Sequence, residues 1–228
     1  MRTVLVVDDE PHIRAVLRGY LEADGYRVLE ASSGEEALDL LRRESPDLVL
    51  LDVMLPGVDG LEVLRRVRAT SQVPVILVTA RAEEVDTLIG LAVGADDYVT
   101  KPFSPREVTA RVGVVLRRAA GRTAPDGALH FDGLSIDPER REVTVDQVPV
   151  TLSSLEFDLL ATLAGSPGRV WSRAQLLRQV WGGDFFGDER VVDVHIRSIR
   201  SRLGDDVTAP RFVSTVRGVG YKFTGTPR

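Results

Sequence analysis

The sequence predicts an α/β domain built on a five-stranded parallel sheet, followed by a smaller α+β domain. Two observations lead to this fold class. In the first part of the chain, five short, apolar and β-branched runs alternate with segments of helical spacing, which is typical of a parallel sheet covered by helices on both faces. Further along, the runs become shorter and alternate between apolar and polar residues, which is typical of antiparallel strands.

A stretch of small residues with Pro and Gly separates these two patterns and indicates a linker. We therefore place the first domain at residues 1–119, the linker at 120–128 and the second domain at 129–228. The five strands predicted for the first domain are Thr3–Val7, Val28–Ala31, Leu48–Leu51, Val73–Val78 and Tyr98–Thr100.

The second domain is predicted to begin with antiparallel strands and to continue with three helices and a hairpin. Ser153 or Ser154 can cap the first helix, and Ser172 can cap the second. The predicted strands are Leu129–Ile136, Glu142–Val145, Val148–Leu152, Phe212–Val216 and Tyr221–Phe223, and the second and third helices are Arg173–Trp181 and about Glu189–Leu203.

The composition limits the class of protein. The chain of 228 residues is 43% apolar, contains no cysteine and has a formal net charge of −5. No run approaches the roughly 20 apolar residues of a membrane span, and the first apolar run is too short, and too soon acidic, for a signal peptide. The absence of cysteine excludes disulfides and thiolate metal sites and favours a reducing compartment. We therefore expect a cytoplasmic protein with no membrane partner.

Reactive side chains follow four of the five strands predicted for the first domain. Asp8 and Asp9 follow the first strand, Asp52 the third, Thr79 the fourth and Lys101 the fifth. Ligands of open α/β sheets bind beyond the carboxyl ends of the strands, so we expect these side chains to converge. A carboxylate can form an aspartyl-phosphate, Mg²⁺ prefers oxygen ligands, and phosphoryl transfer requires neutralisation of the phosphoryl oxygens. The set predicts that Asp52 accepts a phosphoryl group.

Each of these residues also has a simpler interpretation when it is taken alone. Asp8 and Asp9 could cap the helix that begins near Pro11, Thr79 could be a strand-end hydroxyl bonded to backbone, and Lys101 could be a solvated lysine. Only the set, with each member at a strand end, favours the functional interpretation.

Four segments of this domain, Val6–Glu10, Leu51–Pro56, Val78–Ala80 and Tyr98–Phe103, resemble the receiver domain of two-component response regulators. The resemblance implies a doubly wound, flavodoxin-like fold and a cis peptide at Lys101-Pro102. It also implies roles for individual residues: Asp52 as the phosphoacceptor and a Mg²⁺ ligand, Asp9 as a direct and Asp8 as a water-mediated Mg²⁺ ligand, the Met54 carbonyl as a further ligand, Thr79 and Lys101 as phosphoryl-binding groups, and Tyr98 as the aromatic switch that follows Thr79.

A further segment, Gly94–Tyr98, together with Arg111, resembles the subfamily that dimerises through the fourth helix, fifth strand and fifth helix of its receiver. The resemblance implies that Asp96 or Asp97 pairs across the interface with Arg111 and Arg118. Thr87, Ala92 and Gly113 depart from the charged residues that the subfamily often has there, so we expect fewer interfacial salt bridges. The alternative is that Asp96 and Asp97 only shape a turn.

Residues 190–222 carry seven basic against three acidic side chains, although the whole chain is acidic. On the third predicted helix of this domain, an apolar stripe lies opposite a face with Arg190, Arg197, Ser198 and Ser201. A basic face of this kind suits the DNA major groove, because Arg can bind phosphates or guanine edges. The alternative is a solvated basic helix face.

Segments Leu152–Leu160, Val191–Arg197 and Thr215–Tyr221 resemble the winged helix-turn-helix output domain of the OmpR/PhoB class. The resemblance implies that the third helix enters the major groove and that Arg217, in the wing, reaches the minor groove. It implies phosphate contacts by Arg190, His195 and Arg200 and base reading by Arg197. Some relatives carry arginine in place of Ser198, so the resemblance does not specify which DNA base is read at that position. It places Phe185 and Phe186 in a loop that relatives use to touch RNA polymerase, although core packing of one of them is an equal alternative.

Together these patterns predict a DNA-binding transcription regulator that a sensor histidine kinase activates by phosphorylating Asp52. We expect it to use Mg²⁺, to form a homodimer on phosphorylation, to bind tandem half-sites in double-stranded DNA and to catalyse only its own phosphorylation and dephosphorylation. The rival hypotheses are a Mg²⁺-dependent aspartyl phosphotransferase or phosphatase, and a constitutive DNA-binding protein with a vestigial receiver.

Overall fold

The structure is a computed structural model that describes residues 1–80, 94–120, 127–182 and 189–228, without the side chains of residues 80 and 118–120. The chain divides into two compact units, Met1–Ala120 and Gly121–Arg228. Among the described residues, no helix has both the length and the apolar character required to cross a membrane.

The first unit contains a five-stranded parallel sheet, as predicted, with the strand order β2-β1-β3-β4-β5. The order reverses at β1, so the polar residues that follow β1 and β3 lie at a topological switch point, where α/β sheets bind their ligands. The strands are β1 (Thr3–Val7), β2 (Arg27–Ala31), β3 (Leu48–Asp52), β4 (Val75–Ala80) and β5 (Asp97–Lys101), and the described helices are α1 (Pro11–Ala23), α2 (Gly34–Glu44), α3 (Gly60–Thr70) and α4 (Pro105–Ala120).

Burial of whole strands explains why this sheet forms. Every residue of β1 and β3 is buried, as expected for strands that are covered on both faces. Valine and leucine side chains of β1 and β3 pack with Leu17 and Leu21 of α1 and with Val108 and Val112 of α4 in one core cluster. This packing fixes the strand ends, and with them the polar residues that follow.

The second unit has the predicted α+β composition. Four antiparallel strands form one sheet, and three strands in the order β10-β12-β11 form another. The elements are β6 (Leu129–Phe131), β7 (Leu134–Asp137), β8 (Glu142–Val145), β9 (Val148–Val150), α5 (Ser154–Ala164), β10 (Val170–Ser172), α6 (Arg173–Leu176) with a π-helical turn (Leu177–Trp181), α7 (Arg190–Leu203), β11 (Val213–Val216) and β12 (Gly220–Phe223).

One sequence prediction for this unit was wrong, and one strand was missed. The single strand predicted at Leu129–Ile136 is a hairpin of β6 and β7, in which Phe131 pairs with Leu134. Gly133 makes the turn with a φ of 78°, a conformation that glycine adopts without strain, and the Asp-Gly dipeptide is the signal that identifies it. The strand β10, which pairs with β12, was not predicted.

Candidate functional site

The polar residues that the sequence predicts at the carboxyl ends of the strands do meet in the structure. The ammonium of Lys101, the last residue of β5, donates hydrogen bonds to Asp52 Oδ2 at 2.6 Å and to Asp8 Oδ2 at 2.9 Å. Asp52 is the last residue of β3, and Asp8 directly follows β1. Three strands therefore contribute one charged group each to a single cluster.

The cluster holds more negative than positive charge in a buried position. Asp8 and Asp52 are each 2% exposed. Burial raises the pKa of Asp52, and the negative charge of Asp8 acts in the same direction. Hydrogen bonds from Lys101 and from the Met54 N–H act to lower this pKa, but the net shift is upward. Burial also acts to lower the pKa of Lys101, but its hydrogen bonds to Asp52 and Asp8 outweigh burial and raise it. One ammonium thus serves two buried carboxylates, and a further cation would relieve the remaining repulsion.

The loop after Asp52 is held by a close approach that only glycine allows. A Cβ on Gly60, the first residue of α3, would lie 2.0 Å from the Asp52 carbonyl oxygen and 2.8 Å from the Val53 Cα. The Gly60 N–H donates to the Val53 carbonyl at 3.0 Å, and the Asp59 side chain caps α3 by accepting from the Glu62 N–H at 2.7 Å. The Met54 N–H donates to Asp52 Oδ1 at 3.0 Å. These contacts fix the orientation of the Asp52 carboxylate.

The acidic residues after β1 could hold a divalent cation. One carboxylate oxygen from each of Asp8, Asp9 and Glu10 lies within 4.8 Å of the others, and hard cations such as Mg²⁺ take oxygen ligands. The donor set and the excess negative charge around Asp52 therefore fit the ion that the sequence predicts. Glu10, which also lies 3.5 Å from the Lys101 ammonium, was missed, although the run Asp8-Asp9-Glu10 could have suggested it.

The structure also tests the alternative that the acidic residues after β1 only cap helix α1. Helix α1 begins at Pro11, and its N-cap residue, Glu10, makes no side-chain cap. Asp8 Oδ1 accepts from the Glu10 N–H at 2.9 Å, while Asp8 Oδ2 binds Lys101. Asp8 therefore supports the chain before the helix with one oxygen and contributes to the charged cluster with the other.

Thr79 and Tyr98 lie on adjacent strands, Thr79 near the carboxyl end of β4 and Tyr98 near the start of β5. In the pairing of β4 with β5, Leu77 is opposite Tyr98 and Thr79 is opposite Thr100. Thr79 is buried and Tyr98 is half-buried. Their predicted coupling stays a prediction. The peptide Lys101-Pro102 is cis, as the resemblance implies.

The acidic pair predicted for the dimer interface is bound within its own unit. Asp96 is 3% exposed and accepts hydrogen bonds from Arg68 and from the Val75 N–H, both at 2.8 Å, which contradicts its assignment to an interface. Asp97 is also buried and lies 3.1 Å from Arg111 of the same chain. The Arg118 side chain, Thr87 and Ala92 lie outside the described residues. Gly113 lies in α4, where a Cβ would meet the Tyr26 hydroxyl oxygen at 3.6 Å.

Helix α7 presents a basic stripe to solvent. Its predicted apolar stripe, Val192, Ile196, Ile199 and Leu203, is buried, whereas Arg190, Arg197 and Ser201 are exposed. Arg217 is exposed in the turn between β11 and β12, where Gly218 has a φ of 74°. Helix and hairpin thus place three exposed arginines on elements that can follow a nucleic-acid backbone.

Three residues predicted as DNA contacts are buried, which contradicts those assignments. His195 is 0% exposed and packs on the Trp181 ring, with 5.5 Å between ring centroids. Ser198, 7% exposed, donates its hydroxyl to Glu156. Arg200 donates to the Val213 carbonyl at 2.7 Å and to the Thr215 hydroxyl at 2.8 Å. Helix α7 is covered over a wider arc than its apolar stripe indicates. Phe185 and Phe186 lie outside the described residues.

Comparison with known proteins matches both units. A family model described as "Response regulator receiver domain" matches residues 4–113, and one described as "Transcriptional regulatory protein, C terminal" matches residues 147–223. The sensory transduction protein RegX3 of Mycolicibacterium smegmatis is 45% identical over 99% of this chain and 100% of its own length. The phosphate regulon transcriptional regulatory protein PhoB of Pseudomonas aeruginosa is 44% identical over 98% of this chain and 97% of its own. The crystal structure of DrrB, a Thermotoga maritima OmpR/PhoB homologue, is 37% identical, with a TM-score of 0.53 over 99% of this chain and 100% of DrrB.

Proposed function

Because the chain belongs to the OmpR/PhoB class of response regulators and is a phosphorylation-dependent transcription regulator of a two-component system, we propose that Asp52 is the residue that accepts the phosphoryl group. A receiver domain implies a histidine kinase as phosphodonor, and the C-terminal domain implies DNA binding. The contact of Lys101 with both Asp52 and Asp8 carries the assignment, because it places one ammonium beside the carboxylate where a phosphoryl group would add charge.

In the proposed reaction, one oxygen of Asp52 attacks the phosphorus of the kinase phosphohistidine. The new O–P bond forms as the P–N bond breaks, and the imidazole leaves with the electron pair of that bond. Lys101 then exchanges its contact with Asp52 for one with a phosphoryl oxygen, and the Thr79 hydroxyl donates to another. Asp8, Asp9 and Asp52 would hold Mg²⁺, with the Met54 carbonyl as the predicted further ligand and Glu10 within reach. When bound, Mg²⁺ supplies the positive charge that neutralises phosphoryl oxygens.

The test is labelling by a small phosphodonor such as acetyl phosphate in the presence of Mg²⁺, read by intact-protein mass spectrometry. The wild-type chain should gain one phosphoryl group, and Asp52→Asn should gain none. Asp24→Asn, which changes an exposed carboxylate at the end of α1, is the matched control and should label normally. Stoichiometric labelling of Asp52→Asn at another residue would contradict the assignment. Turnover of an added phosphomonoester would favour the phosphatase alternative.

For the second domain, we infer that Arg197 reads bases, that Arg190 contacts phosphates and that Arg217 reaches the adjacent minor groove. All three are exposed, and base contacts specify sequence while phosphate contacts position the protein. Dimeric receivers would place two such domains on half-sites about one helical turn apart. Arg197→Ala should relax base preference, whereas Arg190→Ala should weaken binding to all duplexes alike and flatten the salt dependence. Unchanged sequence selectivity in Arg197→Ala would exclude it as the reader.

A further inference from the structure

A buried glutamate connects helix α5 to helix α7. Glu156 is 0% exposed and accepts a hydrogen bond from the Ser153 N–H at 2.8 Å as part of the capping box of α5. Its other oxygen accepts the hydroxyl hydrogen of Ser198. The Arg202 guanidinium lies 3.4 Å from Glu156 and also donates to the Thr151 carbonyl at 3.2 Å. A single carboxylate of α5 therefore contacts two side chains of α7.

These two contacts are spaced so that they restrict the rotation of α7. Ser198 and Arg202 are four residues apart, so they lie on the same face, one turn from each other. Each directly follows an exposed residue, Arg197 or Ser201. A helix side chain ends roughly 6 Å from the helix axis, so a roll of about 10° would displace its tip by about 1 Å. A displacement of this size disrupts the paired hydrogen bonds that distinguish bases.

We propose that Glu156, acting through Ser198 and Arg202, is a positioning residue for DNA recognition. It holds α7 in the rotational setting that directs Arg197 outward. The hydrogen bond from the Ser198 hydroxyl to Glu156 is directional and favours one orientation of the two helices. Arg202, whose side chain is 31% exposed, adds an ion-pair contact to the same carboxylate. The inference rests on the proposed role of α7 as the helix that reads DNA, and it gives Ser198 an internal role in place of the DNA contact predicted from sequence.

The experiment compares variants of the full-length chain on two duplexes. One is the duplex that the wild-type chain selects from a random-sequence library in the presence of acetyl phosphate and Mg²⁺, and the other is the same duplex with its half-sites scrambled. The measured quantity is the selectivity ratio, which is the dissociation constant for the scrambled duplex divided by that for the selected duplex. Ser198→Ala removes the hydroxyl contact, Ser198→Thr retains it, and Glu156→Gln removes the charge.

We expect Ser198→Ala and Glu156→Gln to reduce the ratio about fivefold or more, which is the low end of the discrimination given by one base contact. Ser198→Thr should restore the wild-type ratio. Ile136→Val, which removes one methylene from a fully buried position in β7, is the control for a loss of packing away from α7. It should leave the ratio unchanged, and fluorescence of Trp171 and Trp181 reports the folding of every variant.

The ratio for Ser198→Ala decides the inference whether or not Glu156→Gln folds. An unchanged ratio, or equal weakening on both duplexes, would overturn the positioning role. Arg197→Ala decides the proposed function separately. If it alone loses selectivity, α7 reads DNA without help from Glu156; if Ser198→Ala loses selectivity while Arg197→Ala does not, the positioning role holds and another side chain is the reader.

Discussion

Replacing Arg68 by methionine tests the contact that fixes the start of β5. The guanidinium of Arg68 donates to the Gly94 carbonyl at 2.8 Å, to the Val73 carbonyl at 2.7 Å and to the Asp96 carboxylate at 2.8 Å. It therefore joins the end of α3 to the residues that lead into the strand of Tyr98 and Lys101. Methionine retains much of the aliphatic stem, so the change removes mainly the charge and its hydrogen bonds.

The expected cost is large because both partners are buried: the side chains of Arg68 and Asp96 are 5% and 4% exposed. Removing one partner of a buried ion pair costs about 3–5 kcal/mol, since the other charge stays buried without compensation. Domain stability is usually about 5–15 kcal/mol. Arg68→Met should therefore remove a substantial part of the stability of the receiver.

Urea denaturation followed by two signals measures this effect. Far-UV circular dichroism reports both domains, whereas tryptophan fluorescence reports the second domain alone, because both tryptophans, Trp171 and Trp181, lie there. Arg68→Met should shift the receiver transition and leave the fluorescence transition in place. The double variant with Asp96→Asn should be less destabilised than the sum of the single variants. A cost below about 1 kcal/mol, or strict additivity, would refute the buried-pair reasoning.

Three further predictions concern other parts of the chain. Burial raises the pKa of Tyr221 to about 12, and its hydrogen bond to Asp193 acts in the same direction. Because tyrosine in the unfolded chain ionises near pH 10, the free energy of unfolding of the second domain should fall by up to about 2 kcal/mol as the pH rises from 10 to 12. Unfolding followed by tryptophan fluorescence measures this loss, which should be absent in Tyr221→Phe. Gly113→Ala should stabilise the receiver by about 0.5–1 kcal/mol in thermal unfolding followed by circular dichroism, because alanine loses less conformational freedom than glycine when a helix forms. The new methyl group has room, since it would meet Arg117 Nη1 at 3.4 Å and the Tyr26 hydroxyl at 3.6 Å; destabilisation would show that these neighbours cannot adjust. The dissociation constant of the phosphorylated dimer, measured by sedimentation equilibrium, should change less than about tenfold between low and high salt. A steep salt dependence would show that new ion pairs form the interface.

Strand-end chemistry could be predicted from sequence because parallel topology brings distant residues to one edge. Predicting that Asp8, Asp52 and Lys101 converge required only the strand boundaries and the rule that the carboxyl ends of parallel strands meet at one edge. The pairing partner of Asp96 could not be predicted in this way, because Arg68 lies on a helix face whose charged residues are typical of a solvent-exposed surface. Its guanidinium reaches back to cap backbone carbonyls, and this depends on the packing of α3 against the sheet.

The second domain shows where helical periodicity is insufficient. The stripe from Val192 to Leu203 correctly identified the apolar face of α7. It could not show that Trp181 packs on His195, or that Ser198 and Arg200 are buried against α5 and β11. Polar residues can be buried when a partner from another element satisfies them. Glu156 and the Val213 carbonyl supply such partners for Ser198 and Arg200, and neither could be assigned before the fold was known.

The pairing of Asp97 with Arg111 limits the contribution of these residues to dimerisation. The two charges already lie 3.1 Å apart in one chain, and Arg111 also binds Glu107 at 2.9 Å. An interface that uses Asp97 and Arg111 must first break this pair, so each ion pair formed between chains replaces one within a chain. The net gain is therefore smaller than that of a new surface pair, which is itself only about 0–1 kcal/mol. If the phosphorylated chain forms the homodimer expected from its sequence, the free energy of that step would therefore come mainly from contacts other than this pair, and the charged pair would set the orientation of the two receivers more than their affinity.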